Sequence, residues 1–308
     1  MDTLQSMQLF TRVIELGSFS AVARAEQITQ PTVSKVIAAL EKNLGVRLIE
    51  RTTTSLTPTE EGKRFYHRCR QLIEEYVDAV ADVRGQTQQL AGAPYVNAPL
   101  GLGELRLNTL VVEFLAIHPR IEVELIMNDR MIDLVEEGVD VAIRLGGELP
   151  PNAIARNVAS SPRVLVAAPD YIKRAPRLRR PEDLTAHQYI RFARPGAGPV
   201  LEFTTGTEKV AVTTTGRYRV NSSLALRQCF LEGVGLGSAP AWLVQDLIDK
   251  GELVRVLPKW TQMPQSVHLV YPSRRYQPLR ARAFLQFMTK RILTLPGLRP
   301  PNRELRIP

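Results

Sequence analysis

The sequence of 308 residues has few of the residues that mark secreted or membrane-spanning proteins. It contains two cysteines, Cys69 and Cys229, which lie far apart. No apolar run reaches the roughly 18 residues of a membrane span, and the first residues lack the basic and apolar regions of a secretory signal. These absences predict a cytoplasmic protein with reduced thiols and no membrane partner.

Motifs of common catalytic sites are also missing. There is no G-x-S-x-G, C-x-x-C, H-E-x-x-H or P-loop motif, and the four histidines are dispersed without the spacing of a metal site. The segment GVGLG at 233–237 follows a predicted helix rather than a strand, so it predicts a compact bend and not a nucleotide loop. We expect no catalytic residues, no cofactor and no metal, and an α/β enzyme is the weaker alternative.

The net charge of +9 suggests a polyanionic partner, but its distribution does not say where that partner binds. Residues 1–90 carry no net charge, and much of the excess lies at 274–308. A nucleic-acid site must therefore be argued from pattern.

The periodicity of the N-terminal residues predicts three short helices, at 3–16, 21–25 and 30–43. Thr29 is the expected N-cap of the third, and Pro31 suits its first turn, where a missing N–H costs nothing. The third helix has an apolar stripe that predicts its buried face, formed by Val33, Val36, Ile37, Leu40 and Leu44.

The opposite face of the third predicted helix carries small or hydrogen-bonding side chains near the helix start: Gln30, Thr32, Ser34, Lys35 and Ala38. Such side chains fit a major groove, and a helix start attracts phosphate. A solvated helix face is the commoner role of such residues, but the capped start and the tight turn before it favour DNA recognition. Residues 46–58 predict a β-hairpin wing, in which Arg51 suits phosphate contact.

At this point the sequence resembles a known family. The stretch SFSAVARAEQITQPTVSKVIAALEKNLGVRLIERTTTSLTPTEEG is similar to the DNA-binding domain of the LysR-type transcriptional regulators, and the similarity extends over residues 2–62. It implies a helix-turn-helix at about 19–38, within a winged domain at 1–59 that binds a double-stranded DNA operator. The DNA-contacting residues that it implies are Ser20, Gln30, Pro31, Thr32, Ser34, Lys35 and Arg51. Thr54 stands where many members have an arginine, which predicts a shallower salt dependence.

A long helix is predicted to follow, at 60–91. Its apolar residues recur with a 3.5-residue period: Phe65, Cys69, Leu72, Tyr76, Ala79, Val83 and Leu90. This period is typical of a helix packed along a partner helix, and the alternative is packing on its own domain. We expect a homodimer formed through residues 60–90, and pairing of dimers into a tetramer.

The remaining chain alternates strands and helices. Strands are predicted at 95–98, 121–127 and 139–145, and helices at 104–118 and 131–137. This order is typical of an α/β domain with a mostly parallel sheet.

The segments MIDLVEEGVDVAIRLG, CFLEGVGLGSAPAWLV and LVYPSRRYQPLRARAFLQF resemble the effector-binding domain of the same family. The resemblance implies an α/β fold of the type 2 periplasmic-binding-protein class over residues 95–293. Its subdomain I would comprise 95–160 and 267–293, and its subdomain II 161–266. The basic, proline-containing tail at 294–308 predicts a flexible segment.

Ligands of such sheets bind outside the carboxyl ends of the strands. The residues expected there are Pro99, Leu100, Gly101, Leu102, Asn128, Arg144, Asn221 and Ser222. Backbone N–H groups at two helix starts, together with Arg144, suit a small anion such as a carboxylate. The structural alternatives are an Arg144 paired within the fold and an Asn221 that only caps a helix.

These expectations combine into one mechanism. A dimer or tetramer binds a partly palindromic operator, and a small-molecule effector closes the cleft and changes DNA bending or contact with RNA polymerase. A thiol redox sensor is the alternative regulator. Because Cys69 and Cys229 lie in different predicted domains, we expect no intramolecular disulfide switch, whereas one reactive thiol stays open as an option.

Overall fold

The structure is a computed structural model that describes residues 2–51, 56–83, 92–147, 149–150, 153–193, 198–273 and 277–301. Predictions for the Arg51 side chain, the wing tip at 52–55, the helix at 84–91 and the tail at 302–308 fall outside the described residues. Within the described ranges, no helix combines the length and the apolarity that crossing a bilayer would need.

The N-terminal unit has three helices: α1 (Thr3–Leu16), α2 (Phe19–Ala25) and α3 (Gln30–Leu44). Local signals fix their ends. The Ser18 side chain caps α2 by accepting a hydrogen bond from Ala21 N at 3.3 Å, and Thr29 caps α3 by accepting one from Thr32 N at 3.4 Å. Gly17 ends α1 in the left-handed conformation. The predicted helices and the Thr29 cap are confirmed.

The core of this unit is formed by the predicted apolar stripe of α3, except for its last residue. Val33 and Ile37 are fully buried, whereas Leu44 is 43% exposed because it lies in the final turn, beyond the hydrophobic core. A hairpin follows, in which β1 (Ile49–Arg51) pairs with β2 (Leu56–Pro58) in antiparallel register. The predicted wing is therefore present in the described residues.

Helix α4 (Glu60–Val83) begins after Thr59, whose Oγ1 accepts a hydrogen bond from Gly62 N at 2.9 Å. Its first half packs on its own domain. The Phe65 ring lies 5.5 Å from that of Phe10, and Cys69 is fully buried in the N-terminal core. The expectation that Phe65 and Cys69 belong to a dimer seam is wrong, because the α1 face takes up this part of the stripe.

The second half of α4 is exposed. Leu72 is 48%, Tyr76 54% and Val83 89% exposed. This part of the predicted stripe has no apolar cover within the described residues of one chain.

The C-terminal domain is built around a seven-stranded sheet with the order β11-β6-β13-β5-β3-β4, in which β12 also pairs with β6. Its strands are β3 (Tyr95–Ala98), β4 (Glu124–Met127), β5 (Val141–Leu145), β6 (Ala153–Ala167), β11 (Leu236–Pro240), β12 (Val254–Val256) and β13 (Gln262–Pro272). The first three run parallel, as expected for an α/β unit. Two small pairs lie outside this sheet: β7 (Arg191–Phe192) with β10 (Arg219–Val220), and β8 (Val200–Thr205) with β9 (Glu208–Thr213).

Helices cover this sheet. They are α5 (Leu100–Leu102), α6 (Asn108–Ile117), α7 (Pro169–Arg174), α8 (Ser223–Leu231), α9 (Ala241–Asp249) and α10 (Leu279–Arg291). A π-helical turn at Gly103–Leu107 joins α5 to α6, so the predicted helix at 104–118 begins earlier and ends at Ile117. The predicted helix at 131–137 is wrong, because this segment forms turns. Its residues Ile132 and Leu134 pack against the sheet.

Two long strands, β6 and β13, run from one part of the domain into the other. β6 pairs with β13 along Ala153–Arg163 and with β11 along Arg163–Ala167. We refer to residues 95–160 and 267–293 as lobe I and to residues 161–266 as lobe II.

Residues 294–301, which follow α10, pack on the domain, which corrects the predicted flexible tail for this part of it. Leu295 and Leu298 are buried in the main core. Gly297 O accepts a hydrogen bond from Ser161 Oγ at 2.9 Å, and Arg299 exchanges two backbone hydrogen bonds of 2.9 Å with Ser160. The prolines and charges of the tail predict flexibility, but two of its leucines, Leu295 and Leu298, reach the core where β6 passes between the lobes.

Candidate DNA-binding face and effector cleft

The start of α3 presents the predicted DNA-contacting residues on one surface. Gln30, Pro31 and Lys35 are exposed, while Thr32 and Ser34 are half-buried. Ser20 is exposed on α2. Helices α2 and α3 pack together, so these positions belong to one compact unit.

A groove of about 650 Å³ lies beside this surface, between α1 and α3. It is lined by Thr3, Ser6, Pro31, Thr32, Lys35, Val36, Ala39, Leu40 and Asn43. Three of these lining residues, Thr3, Ser6 and Asn43, lie outside the predicted DNA-contacting set. Asn43 follows Lys35 by eight residues on α3.

The predicted effector residues divide into two groups. In the first group, α5 meets the start of α8. A Cβ on Gly101 of α5 would overlap Ser223 Oγ of α8, so these two sides of the predicted cleft are already in contact. Leu102 is fully buried in the core, so its side chain offers no exposed surface here, and its role as a ligand contact stays a prediction.

An acidic side chain already occupies the start of α5. Leu100 N donates a hydrogen bond to Asp129 Oδ1 at 3.2 Å, and Asn128 Oδ1 accepts one from Arg130 N at 3.2 Å. A second anion at this helix start would meet the Asp129 carboxylate. The Asp129 carboxylate therefore disfavours an anion at this helix start, and the ligand contacts of Leu100 and Asn128 stay predictions.

The start of α8 is capped from within. Ser222 Oγ accepts a hydrogen bond from Ala225 N at 3.3 Å, so Ser222 is the cap, and Asn221 lies exposed before it. The helix cap is therefore Ser222 and not Asn221.

Arg144 lies on β5, in a buried polar row on the sheet. It is 8% exposed, and its Nη1 donates to Asn97 Oδ1 at 2.6 Å and to Ile143 O at 3.0 Å. His268 lies opposite Arg144 on β13, so the two side chains share a face of the sheet.

Part of this polar row has no protein partner. Among the described residues, no hydrogen-bond acceptor is in reach of Arg144 Nε and Nη2, and His268 Nδ1 is likewise unpaired. Burial lowers the pKa of Arg144, since the charged guanidinium is removed from water. The charge of Glu137 opposes this shift but does not outweigh it. A bound anion would add a hydrogen-bonding counter-charge at the unpaired Nε and Nη2 of this buried cation.

The two thiols have protected surroundings. Burial raises the pKa of Cys69 to about 12 and also raises the pKa of the half-buried Cys229. A raised pKa leaves little thiolate at neutral pH, so both are slow nucleophiles.

The fold and these surfaces together define a class: a winged helix-turn-helix joined by a long helix to a two-lobed α/β domain. A family model described as "Bacterial regulatory helix-turn-helix protein, lysR family" matches residues 4–63, and one described as "LysR substrate binding domain" matches residues 87–292. The chain belongs to the LysR family of transcriptional regulators. Its members bind operator DNA and small-molecule effectors and form oligomers.

Relatives match along nearly the whole chain. An HTH-type regulator of Escherichia coli K12, YhjC, is 32% identical over 295 residues, covering 94% of this chain and 97% of its own. PtxR of Pseudomonas aeruginosa, also an HTH-type transcriptional regulator, is 30% identical over 289 residues, covering 94% and 93%. The full-length structure of the Vibrio cholerae virulence activator AphB is 28% identical, with a TM-score of 0.59, and covers 94% and 99%.

Proposed function

We propose that this regulator reads its operator with the start of α3. The observation that carries the proposal is the exposure of Gln30, Pro31 and Lys35 at a capped helix start. Together with Ser20, Thr32, Ser34 and the wing residue Arg51, they supply amide, hydroxyl and cationic groups for base edges and phosphates. The proposed domains are 1–59 for DNA binding, 60–91 for the linker and 95–293 for the effector.

The proposed effector is a small anion bound at Arg144. Support comes from the buried guanidinium, whose Nε and Nη2 are unpaired among the described residues, and from His268 beside it. The carboxylate of Asp129 argues against an anion at the start of α5. An effector that binds two states of the domain unequally changes DNA bending or contact with RNA polymerase, without catalysis.

The proposed assembly is a dimer formed along the exposed half of α4, which pairs again into a tetramer. Leu72, Tyr76 and Val83 supply an apolar stripe of suitable period. Two winged units then match a partly palindromic operator.

The operator test begins with genome-wide footprinting to obtain a bound fragment. Anisotropy titration with that fragment then compares Lys35→Ala with Lys63→Ala, which removes the same charge from the exposed surface of α4. We expect Lys35→Ala to weaken binding by about 1–3 kcal/mol and Lys63→Ala to have little effect. Equal affinity of both variants and the parent would contradict the assignment of α3.

The effector test uses a thermal-shift panel of phosphate, sulfate and short mono- and dicarboxylates. We expect at least one anion to stabilise the protein, and Arg144→Ala to abolish that shift with operator affinity retained. Arg255→Ala, which removes an exposed arginine of lobe II, serves as the control. An anion that stabilises Arg144→Ala as well as the parent would place its site elsewhere.

A redox-sensing regulator is the second candidate, and the raised thiol pKa values of Cys69 and Cys229 disfavour it. Titration of the native protein with a thiol reagent separates the two. Slow, partial reaction is expected, whereas rapid reaction of one thiol would support redox sensing.

A further inference from the structure

Arg106 connects the two lobes of the C-terminal domain. It lies in the π-helical turn of lobe I and is 9% exposed. Its Nε donates to Trp242 O at 2.8 Å, and its Nη2 donates to Asp246 Oδ1 at 2.5 Å. Both acceptors belong to α9 of lobe II, so one buried guanidinium ties the start of α6 to α9.

Asp246 has a second partner within its own lobe. Arg227 of α8 donates to Asp246 Oδ1 at 2.8 Å and to Oδ2 at 2.6 Å. Burial alone would raise the pKa of Asp246, but the hydrogen bonds and charges of Arg227 and Arg106 outweigh it and lower that pKa to about 2. The carboxylate therefore stays charged across the neutral range, and it keeps one cation if the other is removed.

The lobes also touch beside this ion pair, at the predicted cleft. Gly101 of lobe I has no room for a Cβ against Ser223 of lobe II, and the Trp242 ring lies next to the same glycine. Trp242 Nε1 donates to Gln265 Oε1 at 2.9 Å, and the residue is 2% exposed. A ligand can enter between Gly101 and Ser223 only after the lobes separate.

We propose that Arg106 is a latch: it holds lobe II against lobe I, and the domain must break its bonds to Trp242 and Asp246 before an effector enters the cleft. This reverses the expected order of events, in which effector binding closes an open cleft. A ligand that binds only the open form shifts the domain toward that form by its difference in affinity for the two states.

The chain offers a matched pair of variants for the test. Arg106→Gln removes the bond between the lobes and leaves Asp246 paired with Arg227. Arg227→Gln removes the bond within lobe II and leaves Asp246 paired with Arg106. Neither variant leaves a buried carboxylate without a cation, so each lobe is expected to stay folded.

Trp242 is a built-in probe of lobe separation. The chain has two tryptophans, Trp242 and Trp260, so Trp260→Phe leaves Trp242 as the sole tryptophan, which is excited selectively at wavelengths that tyrosine does not absorb. Acrylamide quenching of the full chain in this background measures how often Trp242 meets solvent, and it needs no effector. We expect Arg106→Gln to raise the open population about tenfold or more, seen as a higher quenching constant, and Arg227→Gln to match the parent.

Several results would overturn the latch. They are an unchanged quenching constant in Arg106→Gln, an equal rise in both variants, and loss of the near-ultraviolet circular dichroism signal in Arg106→Gln. The last counts because a latch joins two folded lobes, and its removal leaves both folded. The admission of an effector rests on the proposed function, but the quenching result does not, so failure of one is distinguishable from failure of the other.

Discussion

Arg70 of α4 forms an ion pair of 3.2 Å with Glu124 of β4. Beside it, His67 of α4 packs against Gly138, where a Cβ would come within 2.8 Å of the His67 Cβ. The helix that carries the DNA-binding unit therefore rests directly on the edge of the effector domain. A movement of β4 or of the loop before β5 would be passed to α4 through these two contacts.

The ion pair is expected to contribute modestly to this junction. Its side chains are 21% and 47% exposed, so solvent screens it, and we expect about 0.5–1 kcal/mol. Arg70→Glu and Glu124→Arg should each lower the thermal midpoint, and the double exchange should recover part of the loss. Calorimetry on the parent, the two single variants and the double variant gives the coupling free energy between Arg70 and Glu124. Strictly additive effects would show that the ion pair does not contribute to stability.

The exposed half of α4 should control assembly. Leu72→Lys places a charge in the proposed seam, so we expect sedimentation velocity to show dissociation to monomers with the fold retained. Val112→Lys is the control, because Val112 is a comparably exposed apolar residue on α6. A Leu72→Lys protein that keeps the parent's assembly state would place the dimer contact elsewhere.

The ordered tail should stabilise the C-terminal domain. Truncation after Thr294 removes the buried Leu295 and Leu298, each worth about 1.5–3 kcal/mol of apolar burial as an upper estimate, and the hydrogen bonds to Ser160 and Ser161. Truncation after Pro301 keeps all of these. Urea unfolding should therefore separate the two truncated proteins clearly, and similar midpoints would mean that the tail packs without stabilising.

Buried histidine should make stability depend on pH. Burial lowers the pKa of His268, so between its folded value and the ordinary 6.5 the unfolded chain binds more protons than the folded one. The free energy of unfolding should then fall as the pH drops through 6.5 toward the lower folded value. His268→Gln should flatten this fall in urea titrations at pH 7.5, 6.5 and 5.5, and an identical slope in parent and variant would exclude His268 as a source.

The N-terminal unit could be predicted well because its signals are local. Thr29 caps α3 by accepting a hydrogen bond from the N–H of Thr32, three residues later. Gly17 ends α1 because glycine readily adopts the left-handed conformation. The apolar period of α4 was ambiguous for a physical reason. Phe65 and Cys69 face the chain's own core, while Leu72 and Tyr76 continue the same apolar stripe into solvent. The period of apolar residues does not indicate which surface packs against the stripe.

The amino-acid sequence by itself determined the helix ends, the wing, the parallel β3–β5 unit and the family, since each depends on neighbouring residues or on a long continuous pattern. Only the tertiary structure decided which charges meet. Arg106 and Asp246 are 140 positions apart in the sequence, and Asp129 accepts a hydrogen bond from Leu100, which lies 29 positions before it. Such pairs have no local signature, because they arise from how the sheet and its crossing strands bring distant helix ends together.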